Sequence, residues 1–179
     1  MRKVFFQMFV SLDGSFEAPD QQFDWHVTDS EFDNYVSEML GSIDGILLGR
    51  RTYEGFAAYW PTSTDREAEA MNRLPKIVFS RTLNTVDWSN SRVVKENAAA
   101  EVAKLKQQAG KDLAIFASSD LTVSLMPHGV IDEYRIFVNP VALGGGKRLF
   151  AGLTQRARFK LTKTHAMTSG LVLLTYAPA

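Results

Sequence analysis

Short apolar runs alternate with stretches of helical periodicity along nearly the whole chain, and that alternation constrains the fold more than any other feature. Lys3 to Leu12 is an almost unbroken run of Val, Phe and Met, the pattern of a strand covered on both faces. Thr28-Asp29-Ser30-Glu31 follows as a helix start with a capping residue and acids in the first turn. Phe32, Tyr35, Val36, Met39 and Leu40 then recur at helical spacing up to Gly41. Gly45 to Leu48 is a second buried strand, and Arg50-Arg51-Thr52-Tyr53 opens another helix. The same alternation returns at Lys76 to Phe79, Arg92 to Val94 and Leu113 to Ala117. Between them lie helices predicted over Asp65 to Arg73 and Ala98 to Ala109, and a short one running to Met126. Ile131 to Val138 is a further strand. Arg158 to His165 and Leu171 to Tyr176 form a closing hairpin around Ser169-Gly170. Strands separated by helices pair in parallel, with helices on both faces, and a terminal hairpin adds an antiparallel edge. The fold class expected is therefore three-layer α/β/α with a mostly parallel central sheet.

At 179 residues and 45% hydrophobic content the chain supports one sizeable core, and no segment reads as a linker, so residues 1–179 are expected to form a single domain. Twenty basic and twenty acidic residues cancel. No global field would then hold nucleic acid or an anionic membrane, and any anion site must be local. Cysteine is absent, which removes disulfides, thiolate zinc sites and a cysteine nucleophile and fits a reducing compartment. The first apolar run ends at Ser11 and Asp13, too early for a signal peptide or a membrane span. A cytoplasmic protein is expected.

In open α/β sheets ligands gather beyond the carboxyl ends of the strands, where helix N-termini offer free N–H groups. Gly49-Arg50-Arg51-Thr52 places there a residue without a side chain, a guanidinium and a hydroxyl, a set that suits a phosphate. Ser80-Arg81 stands at the matching end of another strand, where a planar guanidinium can grip a second phosphate. The same arginines are equally at home in solvent or beside an acid, and spacing alone does not choose.

Five segments in order go further than spacing: Val10-Ser11-Leu12-Asp13-Gly14, Gly49-Arg50-Arg51-Thr52-Tyr53, Lys76 through Leu83, Gly129-Val130-Ile131-Asp132-Glu133-Tyr134, and Pro140 through Gly146 with Leu149-Phe150. Together they resemble the dihydrofolate reductase-like superfamily. Within it they are most similar to the C-terminal reductase domain of the bifunctional riboflavin-biosynthesis deaminase-reductase. The resemblance implies a fold of that type and an NADPH-dependent reductase that transfers hydride to a small heterocycle, such as 5-amino-6-(5-phosphoribosylamino)uracil. It implies that Gly49, Arg50 and Thr52 hold the cofactor pyrophosphate. Ser80 and Arg81 would hold the adenosine ribose with its 2′-phosphate. Dihydrofolate reduction and a non-catalytic nucleotide-binding protein on the same fold are the alternatives. The resemblance also implies a homodimer, with the C-terminal hairpin as a natural edge for the second copy. One departure is plain: where the family carries a Gly-Gly pair that packs on the cofactor phosphates, this chain has Ser118 and Ser119.

At the substrate end the resemblance points to an acid on the first helix. Asp33 is nearest in count, Asp29 and Glu31 are competitors, and a solvated helix face is the plainer reading of all three. Asp13 is the resembling lip residue near the nicotinamide, and otherwise a turn-former before Gly14. Trp25 and His26 read as a lid or as a staple onto the helix. Phe56 and Trp60 read as pocket wall or core. His26, His128 and His165 have no metal-ligand spacing, so no metal site is expected. Asp132 and Glu133 face opposite ways on a strand and make no acid–base dyad.

Overall fold

The computed structural model describes residues 1–179. Its elements run β1 (Val4–Val10), β2 (Ser15–Glu17), α1 (Ser30–Ser42), β3 (Ile43–Gly49), α2 (Arg50–Tyr59), α3 (Ala68–Arg73), β4 (Lys76–Phe79), β5 (Ser91–Val94), α4 (Ala98–Gln107), β6 (Asp112–Phe116), α5 (Ser119–Leu125), β7 (Glu133–Val138), β8 (Lys147–Arg148), β9 (Phe159–Ala166) and β10 (Val172–Pro178). Eight strands form one sheet in the order β5-β4-β3-β6-β1-β7-β10-β9. Every neighbouring pair from β5 to β7 is parallel, while β10 runs antiparallel to both β7 and β9. The alternation in sequence thus became the parallel body, and the terminal hairpin became its antiparallel edge.

β1 lies inside the sheet, between β6 and β7, and its side chains feed both faces. Val4, Phe6, Met8 and Val10 pack with Val102 and Leu105 of α4 and Leu121 and Leu125 of α5. Phe5 packs on the other face with Met39 and Leu40 of α1 and Tyr53 of α2. Only a strand covered twice needs apolar residues in unbroken succession. Gln7 is the exception within that run. Tyr35 of α1 donates its hydroxyl to Gln7 Oε1 (2.9 Å) and accepts from Arg135 of β7 (3.3 Å), whose guanidinium lies 3.7 Å from the Phe5 ring centre. This polar bridge under α1 satisfies groups that burial would otherwise penalise.

Several boundaries differ from the sequence expectation. β1 stops at Val10 because Ser11 turns the chain, its N–H donating to Ser15 O at 2.8 Å. β7 starts at Glu133, and just before it Asp132 binds Val4 twice, its N–H donating to Val4 O (2.8 Å) and its carboxylate accepting the Val4 N–H (2.8 Å). The predicted helix from Asp65 is confined to Ala68–Arg73. The glycine-rich loop ends in regular structure after all: β8 pairs with β2 in a separate two-stranded ribbon. Pairing with a segment 130 residues away in sequence is not a local signal.

Candidate functional site

The carboxyl ends of β3, β4, β6, β1 and β7 lie side by side along one margin of the sheet. β3 and β4 end level, with Gly49 opposite Phe79. Arg50 and Ser80 therefore begin adjacent turns on the same side, with Arg81 one residue further. Arg81 is exposed, and no acid lies within ion-pair distance of it. Arg50 pairs loosely with Glu54 one helical turn on (3.3 Å), a contact between exposed groups worth little. Ser80 closes its own turn, its hydroxyl accepting the N–H groups of Thr82 (3.3 Å) and Leu83 (3.0 Å).

The neighbouring turns are stitched together. Gly49 caps α2 without a side chain, and its N–H donates to Ser118 Oγ at 2.9 Å. The Ser118 N–H donates in return to Thr52 Oγ1 at 3.2 Å. Ser118 and Ser119 are both buried. The turn that carries them departs from β6 through Ala117, which holds φ 55°, the left-handed region that disfavours a side chain. Gly49, Thr52 and Ser118 are thus brought together, with Arg50, Ser80 and Arg81 on the neighbouring turns, while Ser119 sits inside the first turn of α5.

Neither carboxylate assigned to the substrate end is placed as a proton donor. Asp13 accepts from Ser11 Oγ (2.6 Å), Gly144 N (2.8 Å) and Leu143 N (3.0 Å). The Ser11 hydroxyl, then the Leu143 N–H, hold its pKa at about 2, so the group stays ionised and clamps the glycine loop against β1. Asp33 is exposed on α1, whose inward face is Phe32, Tyr35, Val36, Met39 and Leu40. A helix presents only one stripe to its sheet, and Asp33 falls outside it. Its competitors are occupied too. Asp29 caps α1 through Phe32 N (2.8 Å) and takes Ser169 N (2.7 Å), and Glu31 pairs with His165 (2.7 Å).

The lid segment before α1 is an aromatic stack. His26 lies on Phe9 (ring centres 4.6 Å apart) with Trp25 edge-on at 4.1 Å. Burial pushes the His26 pKa down to about 4, and its Nε2 has no partner. Phe23 remains 58% exposed above it. Phe56 and Trp60 pack edge-on against each other and lie against the core beside α2.

Two positioning residues escaped the sequence reading. Asn139, fully buried at the end of β7, accepts Val27 N through Oδ1 (2.9 Å) and donates Nδ2 to Val10 O (3.3 Å), pinning the lid segment to two strand ends. An asparagine between an apolar run and Pro140 was the available signal. Glu17 of β2 reaches Lys147 (2.8 Å) and Arg51 (3.8 Å), linking the glycine loop to the start of α2. A wide groove of about 1050 Å³ opens at the opposite end of the strands; most of its cations are engaged, while Arg73 is exposed and unpaired. Lys76 donates to Met71 O and Asn72 O (2.9 Å each), Lys111 to Gly41 O (2.6 Å), and Arg2 and Arg92 pair with Asp44 and Glu101. Met71, Asn72 and Gly41 lie in the closing turns of α3 and α1, where cations complement the helix dipole.

Residues 2–173 match the model of the RibD C-terminal domain. The chain belongs to that family. The uncharacterized protein YyaP of Bacillus subtilis is 32% identical over 180 residues, spanning 98% of this chain and 94% of its own. Among solved structures, a Shewanella sp. PV-4 protein carrying a riboflavin-biosynthesis name superposes with a TM-score of 0.82 at 21% identity, covering 99% of both chains. The diaminohydroxyphosphoribosylaminopyrimidine deaminase/5-amino-6-(5-phosphoribosylamino)uracil reductase of Thermotoga maritima superposes at 0.71 and 15% identity, covering 99% of this chain and 57% of that one. The fold of this RibD-type domain is dihydrofolate reductase-like, as the five sequence segments implied.

Proposed function

We propose that this RibD-type domain is an NADPH-dependent reductase acting on a small heterocyclic substrate of the ribosylaminopyrimidine kind. One observation carries the reading: two guanidinium-bearing turns stand level on adjacent strands of one sheet margin, and Arg81 has no acid of its own. An unpaired arginine beside a serine-closed turn suits the 2′-phosphate, with Arg50 and the α2 amides on the pyrophosphate. Thr52 Oγ1 accepts Ser118 N–H and so keeps its own proton to donate outward. The donors present fit the cofactor's anionic groups. When bound, NADPH supplies a hydride from the nicotinamide C4 to a polarised C=N or C=O bond.

The chain's own residues orient and exclude water. Asn139 and Asp13 fix the lid segment and the glycine loop on either side of the β1 end, and the Phe9–His26–Trp25 stack offers an apolar wall to a planar ring. With Asp13 ionised and Asp33 facing solvent, the proton comes from water. That same placement favours a second reading, a nucleotide-binding protein without turnover.

Titrating NADPH and NADH by nicotinamide fluorescence tests the proposal. The wild-type protein is expected to bind NADPH at sub-millimolar concentration. Arg81→Ala should weaken NADPH about tenfold or more and leave NADH nearly unchanged, the worth of charge-assisted contacts to one phosphate. Equal affinity for both dinucleotides, or no saturable binding, refutes the reading. Binding without oxidation of NADPH by pterins, ribosylaminopyrimidines or carbonyl compounds leaves the second one. The proposal includes a homodimer through β9, whose outer edge is unpaired and whose Leu161 is 50% exposed. Light scattering at micromolar concentration checks it.

A further inference from the structure

Ser118 does something no backbone turn can do. Its hydroxyl, buried between two strand ends, accepts the N–H of Gly49 at 2.9 Å, and its own N–H is taken by Thr52 Oγ1 at 3.2 Å. Gly49 and Ser118 begin the turns after β3 and β6, which are adjacent and parallel. Backbone N–H groups at such turns are the ordinary donors to a ligand oxygen in this class of sheet. Here both are already satisfied within the protein. The contact is intimate on the side-chain level too: a methyl built on Gly49 would lie 3.7 Å from Ser118 Oγ and 3.7 Å from Leu121 Cβ, ordinary van der Waals distances. Ser118 thus stands against Gly49 at contact distance, with its hydroxyl seated on the Gly49 N–H.

We infer that Ser118 is a built-in stand-in for a ligand phosphate oxygen, a residue that sets the affinity of the crevice low by competing for the Gly49 N–H. An anion that takes this donor must first displace an internal hydrogen bond. A neutral intramolecular hydrogen bond of this kind corresponds to about a three- to tenfold change in a binding constant. The inference rests on the reading of this margin as a phosphate-binding site, and it adds that this chain releases its nucleotide readily.

Removing the hydroxyl separates this role from a structural one, because the two predict opposite signs. A residue that merely supports the turn would, on truncation, weaken both fold and binding. Ser118→Ala is expected to lower the melting temperature by about 2–4 °C, since a buried N–H loses its partner, and yet to bind phosphate groups tighter. The probes are inorganic pyrophosphate and NADPH, titrated by calorimetry into wild type, Ser118→Ala and Ser118→Cys. The thiol keeps the volume and accepts weakly, so that variant serves if the alanine protein fails to fold. About three- to tenfold tighter binding of both probes supports the inference. Tighter pyrophosphate with no NADPH binding by any protein keeps the inference and removes the dinucleotide reading. Pyrophosphate affinity that is unchanged, weaker or absent in the variants overturns it, whatever NADPH does.

Discussion

Replacing Gly146 by alanine tests whether the glycine loop is held where the structure places it. Gly146 has φ +89°, and a methyl there would sit 1.9 Å from the carbonyl oxygen of Glu17 and 3.0 Å from its carbon. Both are backbone atoms of β2, so no side chain can swing aside. Gly144, two residues earlier, has φ +69° but nothing within 4 Å of its added methyl. The pair separates two costs. Alanine at Gly144 meets only the dihedral penalty, about 1 kcal/mol for a non-glycine residue at positive φ. At Gly146 that penalty is joined by an overlap relieved only by shifting β2 and β8 apart, an overpacking cost of about 1–3 kcal/mol more. In a domain of this size each kcal/mol moves the melting temperature by about 2–4 °C, so losses of about 3 °C for Gly144→Ala and about 6–12 °C for Gly146→Ala are expected. Differential scanning calorimetry reads both. A Gly146→Ala protein no less stable than Gly144→Ala would refute the β2–β8 geometry and, with it, the place assigned to Glu17.

Three further outcomes follow from the site. Because the folded-state pKa of His26 lies at about 4, below the ordinary 6.5, its neutral packing contributes stability above pH 6.5 that is lost as pH falls toward 4. The shift sets a ceiling of about 3 kcal/mol, and with the ring half-buried about 1–2 kcal/mol is expected. His26→Phe should flatten the urea-midpoint profile in that window, and an unchanged slope counts against the stack. Asp13 titrates lower, its stabilisation present above 3.8 and lost toward pH 2. Asp13→Asn should therefore soften acid unfolding below pH 4 while leaving the higher window untouched, read by circular dichroism. Asn139→Ala strands the Val27 N–H, while Val10 O keeps the backbone N–H of residue 139, a loss of about 1–3 kcal/mol. It should also raise hydrogen exchange in residues 20–27, and exchange equal to wild type would contradict the pin.

How far the sequence reached varies with the range of the interaction. Asp29 was readable as a helix cap because a cap is settled within four residues, Asp29 to Phe32. The two arginine turns were readable because a glycine or serine after a buried strand marks a strand end locally. The role of Asp13 was not. Asp13 looked like a turn residue or a lip, and what it holds lies 130 residues on, at Leu143 and Gly144. Asp33 lay nearest by count, but the helical spacing of Phe32, Tyr35, Val36, Met39 and Leu40 already put it on the solvated face, where the structure has it. Ser118 and Ser119 stood out as a departure, yet nothing in their neighbourhood announced a hydroxyl seated on Gly49, 69 residues earlier.

The sequence by itself determined the alternation of strands and helices, hence a mostly parallel sheet with a candidate ligand margin at the strand ends, because hydrophobic periodicity and turn chemistry act over a few residues. Tertiary structure alone decided which donors of that margin are free and which are spent. Strands β3, β6, β1 and β7 become neighbours only when the chain has folded, and hydrogen bonds between their ends join residues that no local pattern relates.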